Sequence, residues 1–321
     1  MHTRTFGRLG WPVSEVGYGL WGMGGWTGSD DTESRAALER AIELGCTFFD
    51  TALAYGDGKS ELLLGQVLSR HRGKPLTVAT KIPPKNRQWP ARGHYALDDV
   101  FPADYIREMT ETSLRNLGVE RIDLQQFHVW TDAWAADERW QRTVDDLKQQ
   151  GLIGGFGISI NRWEPTNVLK ALETGLVDSV QVVYNIFDQN PEDELFPMCR
   201  ERGIAVIARV PFDEGSLTGT MTRDMTWPEG DWRNLYFPPD RLTAILDRVD
   251  RLRQEIPPGM TMPELALRFI LANSDVSTII PGMRRIRNVE ANLTVSDGKP
   301  LAPGVLERLR AHRWIRDYSV P

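Results

Sequence analysis

The sequence predicts an α/β protein built as a closed (β/α)8 TIM barrel, and three observations carry that expectation. Eight short apolar, β-prone runs alternate with helix-length amphipathic runs along the chain. No linker-like stretch divides the chain, so residues 1–321 read as one barrel domain. Polar, proton-handling side chains recur at the carboxyl ends of the apolar runs, where barrels of this kind keep their active sites.

The chain opens with two short runs, 4–7 and 9–12, that read as an N-terminal hairpin capping one end of the fold. Residues 13–18 form the first barrel strand, followed by a glycine-rich loop and a helix over 31–44. Gly45 precedes the second strand, Thr47-Phe48-Phe49, and Asp50 stands at its carboxyl end. Tyr55 then sits in a loop punctuated by Gly56 and Gly58, before Ser60-Glu61 starts an apolar-periodic helix. The third strand, 76–81, ends on Lys81. Its helix, 106–117, comes only after a long polar insertion, which by its length covers or shapes a site. The fourth strand, 122–127, leads to His128 and a helix over 136–150. The second half repeats this rhythm: strands 155–159, 179–184 and 204–209, with helices over 165–174 and 191–202. A second long segment, 210–239, precedes a helix over 240–254 and an additional helix over 262–272. The eighth strand, 276–280, a helix beginning at 287 and a C-terminal helix over 303–316 complete the chain.

Composition narrows the function. The 38 basic and 44 acidic residues give a net charge of −6, which argues against a general nucleic-acid binder. Cys46 and Cys199 read as core thiols rather than a disulfide, consistent with a reducing, cytoplasmic setting. No run of about twenty apolar residues suggests a membrane span, and the N-terminus lacks the apolar run of a signal peptide. No metal-ligand spacing such as HExxH or paired CxxC occurs, so no metal is expected.

The strand assignments give the tips their chemical meaning. Asp50, Lys81 and His128 end three successive strands, and Tyr55 lies in the loop beside them. A tyrosine with a pKa near 10 is a poor acid at neutral pH, but a neighbouring ammonium favours its phenolate. On this reading Lys81 lowers the Tyr55 pKa, Asp50 holds Lys81, and His128 orients the oxygen of a bound carbonyl.

The segments FFDTALAYGDGKSELLLGQVL, TVATK, DLQQFH and IIPGMRRIRNVEANL, in that order and spacing, resemble the aldo-keto reductase superfamily over nearly the whole chain. The resemblance implies a barrel that binds NADP(H) across its strand ends and transfers hydride reversibly between nicotinamide and a small-molecule carbonyl or alcohol. It places Asp50, Tyr55, Lys81 and His128 in the catalytic positions, with Tyr55 as general acid. For the cofactor it points to Leu20 and Trp21 in the first loop, to Asp50, Ser159, Gln181 and Arg209 near the nicotinamide, and to the loop 210–219, including Phe212, Gly215 and Leu217, around the pyrophosphate. Gly282, Arg284, Asn288 and Asn292 match the remaining contacts. The C-terminal motif also has a reading of its own: Arg284, Arg285 and Arg287 supply cationic forks suited to a 2′-phosphate, which favours NADP over NAD. Two departures stand out. Ser159-Ile160-Asn161 replaces the Ser-Asn expected after the fifth strand, and Ala291 replaces an acidic residue.

Gly17-Tyr18-Gly19-Leu20-Trp21-Gly22 satisfies G-x-G-x-x-G, yet its helix begins some ten residues later, too far to hold a pyrophosphate at the glycines. Those glycines are read instead as letting the loop approach the substrate cleft. Loop tryptophans, Trp21, Trp26, Trp89, Trp130, Trp134, Trp227 and Trp232, offer stacking surface around a pocket. Two other functions remain open: a cofactor-binding regulatory subunit resembling the potassium-channel β subunits of this superfamily, and an aldolase using Lys81 as a Schiff-base nucleophile. The sequence leaves a homo-oligomer open.

Overall fold

The computed structural model describes residues 1–25 and 28–316; Trp26 of the loop set lies outside the described residues. Strands β1 (Thr3–Phe6) and β2 (Trp11–Ser14) form the expected antiparallel hairpin. The barrel follows as β3 (Tyr18–Gly19), α1 (Asp31–Glu43), β4 (Phe48–Asp50), α2 (Lys59–Leu68), β5 (Thr77–Ile82), α3 (Leu97–Val100), α4 (Ala103–Leu117), β6 (Ile122–Phe127) and α5 (Glu138–Gln149). It continues through β7 (Ile153–Ser159), α6 (Leu169–Glu173), β8 (Ser179–Val183), α7 (Leu195–Arg202), β9 (Ala205–Arg209), α8 (Arg233–Tyr236), α9 (Pro239–Leu252) and α10 (Met262–Leu271). The last elements are β10 (Val276–Ile279), α11 (Ile286–Leu293) and α12 (Pro303–Arg310).

The eight strands β3 to β10 lie in chain order in one parallel sheet, and bridges from Val16 to Ile279 and from Gly19 to Gly282 join its two edges into a nearly closed barrel. Closure explains two of the decoy glycines differently from the expectation. A Cβ on Gly19 would lie 2.6 Å from the Ile280 carbonyl oxygen, and one on Gly17 would lie 2.9 Å from that of Phe48. These glycines let the first strand approach its neighbours. Further along the same loop, a Cβ on Gly24 would meet the backbone of Tyr55 and Gly56 at 3.0 Å, so this glycine lets the first loop pack against the Tyr55 loop.

Several boundaries differ from the sequence expectation, among them the start of α7 at Leu195 rather than 191, and at three of them the local reason is visible. Val13 and Ser14 pair antiparallel with Arg4 and Thr3, so they belong to the hairpin and leave only Tyr18–Gly19 for the first barrel strand. The helix after β7 begins at Leu169 because the Asn161 and Asn167 side-chain amides both bond Glu164, tying 161–167 into turns. The C-terminal helix stops at Arg310, and the Trp314 N–H instead bonds the Phe187 carbonyl at 2.8 Å, drawing the tail onto the barrel.

A two-residue period sorts the side chains inside the barrel. Phe48, Ala79, Leu124 and Ile207 belong to a small inner core, which the hairpin plugs with Phe6 and, at its edge, Trp11; the Phe6 ring stacks on Trp11 at 5.7 Å and on Phe48 at 5.4 Å. Two residues further along the same strands stand Asp50, Lys81, Gln126 and Arg209. The apolar layer closes the amino end, and the polar layer faces the opposite mouth. Helices pack around the outside over a much larger core.

Candidate active site

The carboxyl mouth opens into a cleft of about 780 Å³, within the size range of small-molecule sites. At its base Lys81 is fully buried, and its ammonium directs its three hydrogens to three oxygens. Nζ lies 2.5 Å from Asp50 Oδ1, 2.8 Å from the Thr51 carbonyl oxygen and 3.4 Å from the Tyr55 hydroxyl. The other Asp50 oxygen accepts from Gln181 Nε2 at 2.7 Å and from Gln126 Nε2 at 3.2 Å. Asp50 therefore fixes Lys81, and two amides fix Asp50. The Tyr55 ring meets His128 edge-on with centroids 5.6 Å apart, and Trp89 meets the other side of His128 at 4.5 Å. The four expected catalytic residues converge.

The electrostatics correct one expectation. Burial raises the Tyr55 hydroxyl above its ordinary pKa, and although the Lys81 ammonium pulls it down, burial prevails. Tyr55 thus keeps its proton through the neutral range. Burial holds His128 well below the usual histidine range, with the Lys81 and Arg209 charges adding to the effect, so its imidazole is neutral. Its Nδ1 is buried without a hydrogen-bond partner. Arg209 is lowered to about 10, first by burial and then by Arg162, and stays charged at neutral pH.

The Tyr55 loop is held by two residues in the first turn of α2, Ser60 and Glu61. Ser60 Oγ lies 2.8 Å from Thr51 Oγ1, next to Asp50, and Glu61 Oε1 accepts from Thr80 Oγ1 at 2.6 Å, next to Lys81. Asn116 Nδ2 donates to the other Glu61 oxygen at 2.8 Å. Burial raises the Glu61 pKa, and these hydrogen bonds offset part of that rise. Glu61→Ala is expected to lower unfolding free energy by about 2–4 kcal/mol, since buried donors lose their acceptor and a void opens. An unchanged urea midpoint and slope would show that the staple contributes nothing.

Of the expected cofactor residues, Trp21, Asp50, Gln181, Arg209, Phe212, Gly215, Gly282, Arg284 and Asn288 line the cleft. Leu20 and Leu217 do not, because both side chains are fully buried in the core, and the Leu20 N–H bonds the Asp50 carbonyl. Ser159 and Asn292 are also buried off the cleft wall, Ser159 beside Gln181 in the strand register and Asn292 on the inner face of α11. Asn161, the alternative source of the missing Ser-Asn contact, has its Nδ2 within hydrogen-bond distance of the Ala91 and Trp130 carbonyls and of Glu164, while its Oδ1 is buried without a partner.

Sequence reasoning passed over Gln126, Arg162, Asp231 and Arg233, and reached Glu214 only as part of the loop 210–219. Gln126 was within reach, because it follows Leu124 at the two-residue period that places Lys81 after Ala79. On the cleft wall, the Arg162–Glu214 pair lies in loops and the Arg233–Asp231 pair at the start of the one-turn helix α8, where there is no period to read.

Fold and cleft together define a (β/α)8 barrel with a cluster of ionisable side chains, Asp50, Tyr55, Lys81 and His128, at its strand tips. The chain belongs to the aldo/keto reductase family, whose model matches residues 15–313. It is 30% identical to the NADH-specific methylglyoxal reductase of Escherichia coli, with 88% of this chain and 89% of that protein covered. Among solved structures, an aldo-keto reductase from Bacillus halodurans in its holo form superposes with a TM-score of 0.77 at 27% identity, covering 99% of this chain and 98% of its own. The glycerol dehydrogenase of Gluconobacter oxydans gives 0.79 at 27% identity, with 99% and 97% covered.

Proposed function

We propose that the protein is an NADP(H)-dependent oxidoreductase that reduces aldehyde or ketone carbonyls to alcohols. The observation that carries this reading is the Lys81 ammonium bonded at once to Asp50, the Thr51 carbonyl and the Tyr55 hydroxyl at the floor of an open cleft. Tyr55 is the general acid: it holds its proton at neutral pH and hands it to the substrate oxygen, while Lys81 stabilises the phenolate left behind. Neutral His128 stands across from Tyr55 and orients the carbonyl. The bound nicotinamide supplies the hydride.

The cleft suits a long anionic dinucleotide. Arg209 Nε is buried without a partner, and Arg284, half-buried on the wall, makes no ion pair among the described residues. A Cβ on Gly282 would meet nothing, so the backbone there is open to close approach. Arg284 and Arg287 suit a 2′-phosphate, whereas Arg285 lies 3.6 Å from Glu33 and is partly engaged. The E. coli relative named as NADH-specific makes cofactor preference the point to measure, and the name of a Schizosaccharomyces pombe relative, 28% identical, carries NADP(+).

The test is a panel of aldehydes, ketones and sugars run with NADPH and with NADH, followed at the cofactor's absorbance. Faster oxidation of NADPH is expected, and Arg284→Ala is expected to cut the NADPH-to-NADH preference about tenfold, the loss of one charge-assisted phosphate contact. Preference for NADH in the wild type would remove the 2′-phosphate role from these arginines.

A further inference from the structure

The loop after β9 holds three non-glycine residues in the left-handed region: Val210 at φ 56°, Asp213 at 47° and Glu214 at 56°. Such backbone costs of order 1–3 kcal/mol per residue and persists only where its surroundings impose it. Here the two adjacent carboxylates are each taken by an arginine from a different part of the chain. Arg162, in the turn after β7, pairs with Glu214 from the cleft side and lies 4.7 Å over the Tyr236 ring. Arg316, six residues beyond α12, takes Asp213 from behind. Its Nη1 is 2.7 Å from Asp213 Oδ1 and 3.3 Å from the Tyr236 hydroxyl, and its Nη2 is 3.3 Å from Asp188 Oδ2. The Arg316 and Asp213 side chains are 0% and 1% exposed. The guanidinium also lies 4.7 Å from the Trp314 ring and 5.7 Å from that of Phe187. Ser216 Oγ donates to the second Asp213 oxygen at 2.6 Å.

One buried cation therefore serves two buried carboxylates. Burial pushes Asp188 up to about 6, with Arg316 pulling it down and Asp213 pushing it up. Without Arg316, both acids would lose the one cation paired with them and keep only the Ser216 hydroxyl, the Asn185 amide and the more distant Arg162 charge, directly behind the loop that carries Phe212, Glu214 and Gly215 on the cleft wall.

We propose that Arg316 is a positioning residue for dinucleotide binding: from the C-terminal tail it neutralises Asp213 and locks the loop 210–215 in the left-handed shape that presents Phe212 and Gly215 to the cleft. Arg162 holds the neighbouring Glu214 from the front, and Tyr236 touches both arginines. This inference rests on the reading that the cleft takes a nicotinamide dinucleotide. It assigns the tail a role in affinity although Arg316 itself does not line the cleft.

The experiment titrates NADPH into the full-length protein by quenching of intrinsic tryptophan fluorescence, well below the melting temperature of each variant. If loss of the clamp leaves the binding-competent loop populated a tenth of the time, Arg316→Met raises Kd about tenfold. Arg316→Lys is expected to restore most of the affinity, because it keeps the charge. The KM for the carbonyl at saturating NADPH should stay unchanged, since Arg316 is remote from Tyr55 and His128. Asp213→Asn keeps the size and tolerates the left-handed backbone but removes the charge, and is expected to raise Kd in the same direction by a smaller factor. It decides the matter if Arg316→Met does not fold. Wild-type affinity in a folded Arg316→Met, or in Asp213→Asn where that variant decides, would overturn the role of Arg316. Failure of the wild type to bind NADPH or NADH would instead overturn the reading of the cleft.

Discussion

Tyr55→Phe is expected to lower carbonyl turnover by about 10²–10⁴-fold, the range that a positioned general acid contributes, while leaving dinucleotide binding nearly unchanged. The substitution removes one oxygen and little else. Lys81 keeps its bonds to Asp50 and the Thr51 carbonyl, the ring keeps its edge contact with His128, and the cleft keeps its shape. The outcome is read by comparing kcat with NADPH affinity in the same preparation; equal turnover in both proteins would exclude Tyr55 as the acid. The wild-type pH profile carries a linked expectation. Because burial holds the hydroxyl above its ordinary pKa, reduction should be flat through neutral pH and fall only in strong alkali, where the proton is lost. Alcohol oxidation, which needs the phenolate, should rise over that same alkaline range.

Lys81→Met carries the second large effect, on stability as well as catalysis. The variant leaves the Asp50 carboxylate buried with only the amides of Gln126 and Gln181 to satisfy it. Breaking a buried pair by removing one partner costs about 3–5 kcal/mol, because the remaining charge is uncompensated. Denaturant unfolding should show that loss, and turnover in the folded protein should fall at least as far as in Tyr55→Phe. Lys81→Met combined with Asp50→Asn should recover much of the stability and none of the activity. A double variant as unstable as the single one would mean that packing, not charge, accounts for the loss. The same geometry disfavours a Schiff-base role: Lys81 is fully buried and its three N–H bonds are committed.

The barrel and the core of its candidate site were legible in the sequence for a simple reason. Inward positions recur every second residue along a strand, so an apolar residue followed two places later by Asp50, Lys81 or Arg209 marks a strand that enters the core and ends at a mouth. The boundaries that slipped lie where side chains compete with the backbone, as Asn161 and Asn167 do before α6, or where the tail is drawn off its helix by Phe187. Of the cofactor residues off the wall, Leu20 and Leu217 lie one and two positions from Trp21 and Gly215, which do line it, and a side chain's facing in a loop follows no period; Ser159, the last residue of β7, and Asn292, in α11, are instead buried within regular elements.

By itself the sequence determined the class of fold, the order of its strands and the chemical identity of the groups at their tips, because periodicity and residue type are local properties of the chain. Only the tertiary structure decided which groups meet. Asp50 receives its two amides from residues 76 and 131 positions away, and barrel closure alone brings them together. It also decided the net charge state of Tyr55, which depends on how much water the surrounding walls exclude, and the pairing of Arg316 with Asp213, which joins two segments of no shared pattern. Desolvation and long-range contact are properties of the packed molecule, and neither is written in any stretch of residues read alone.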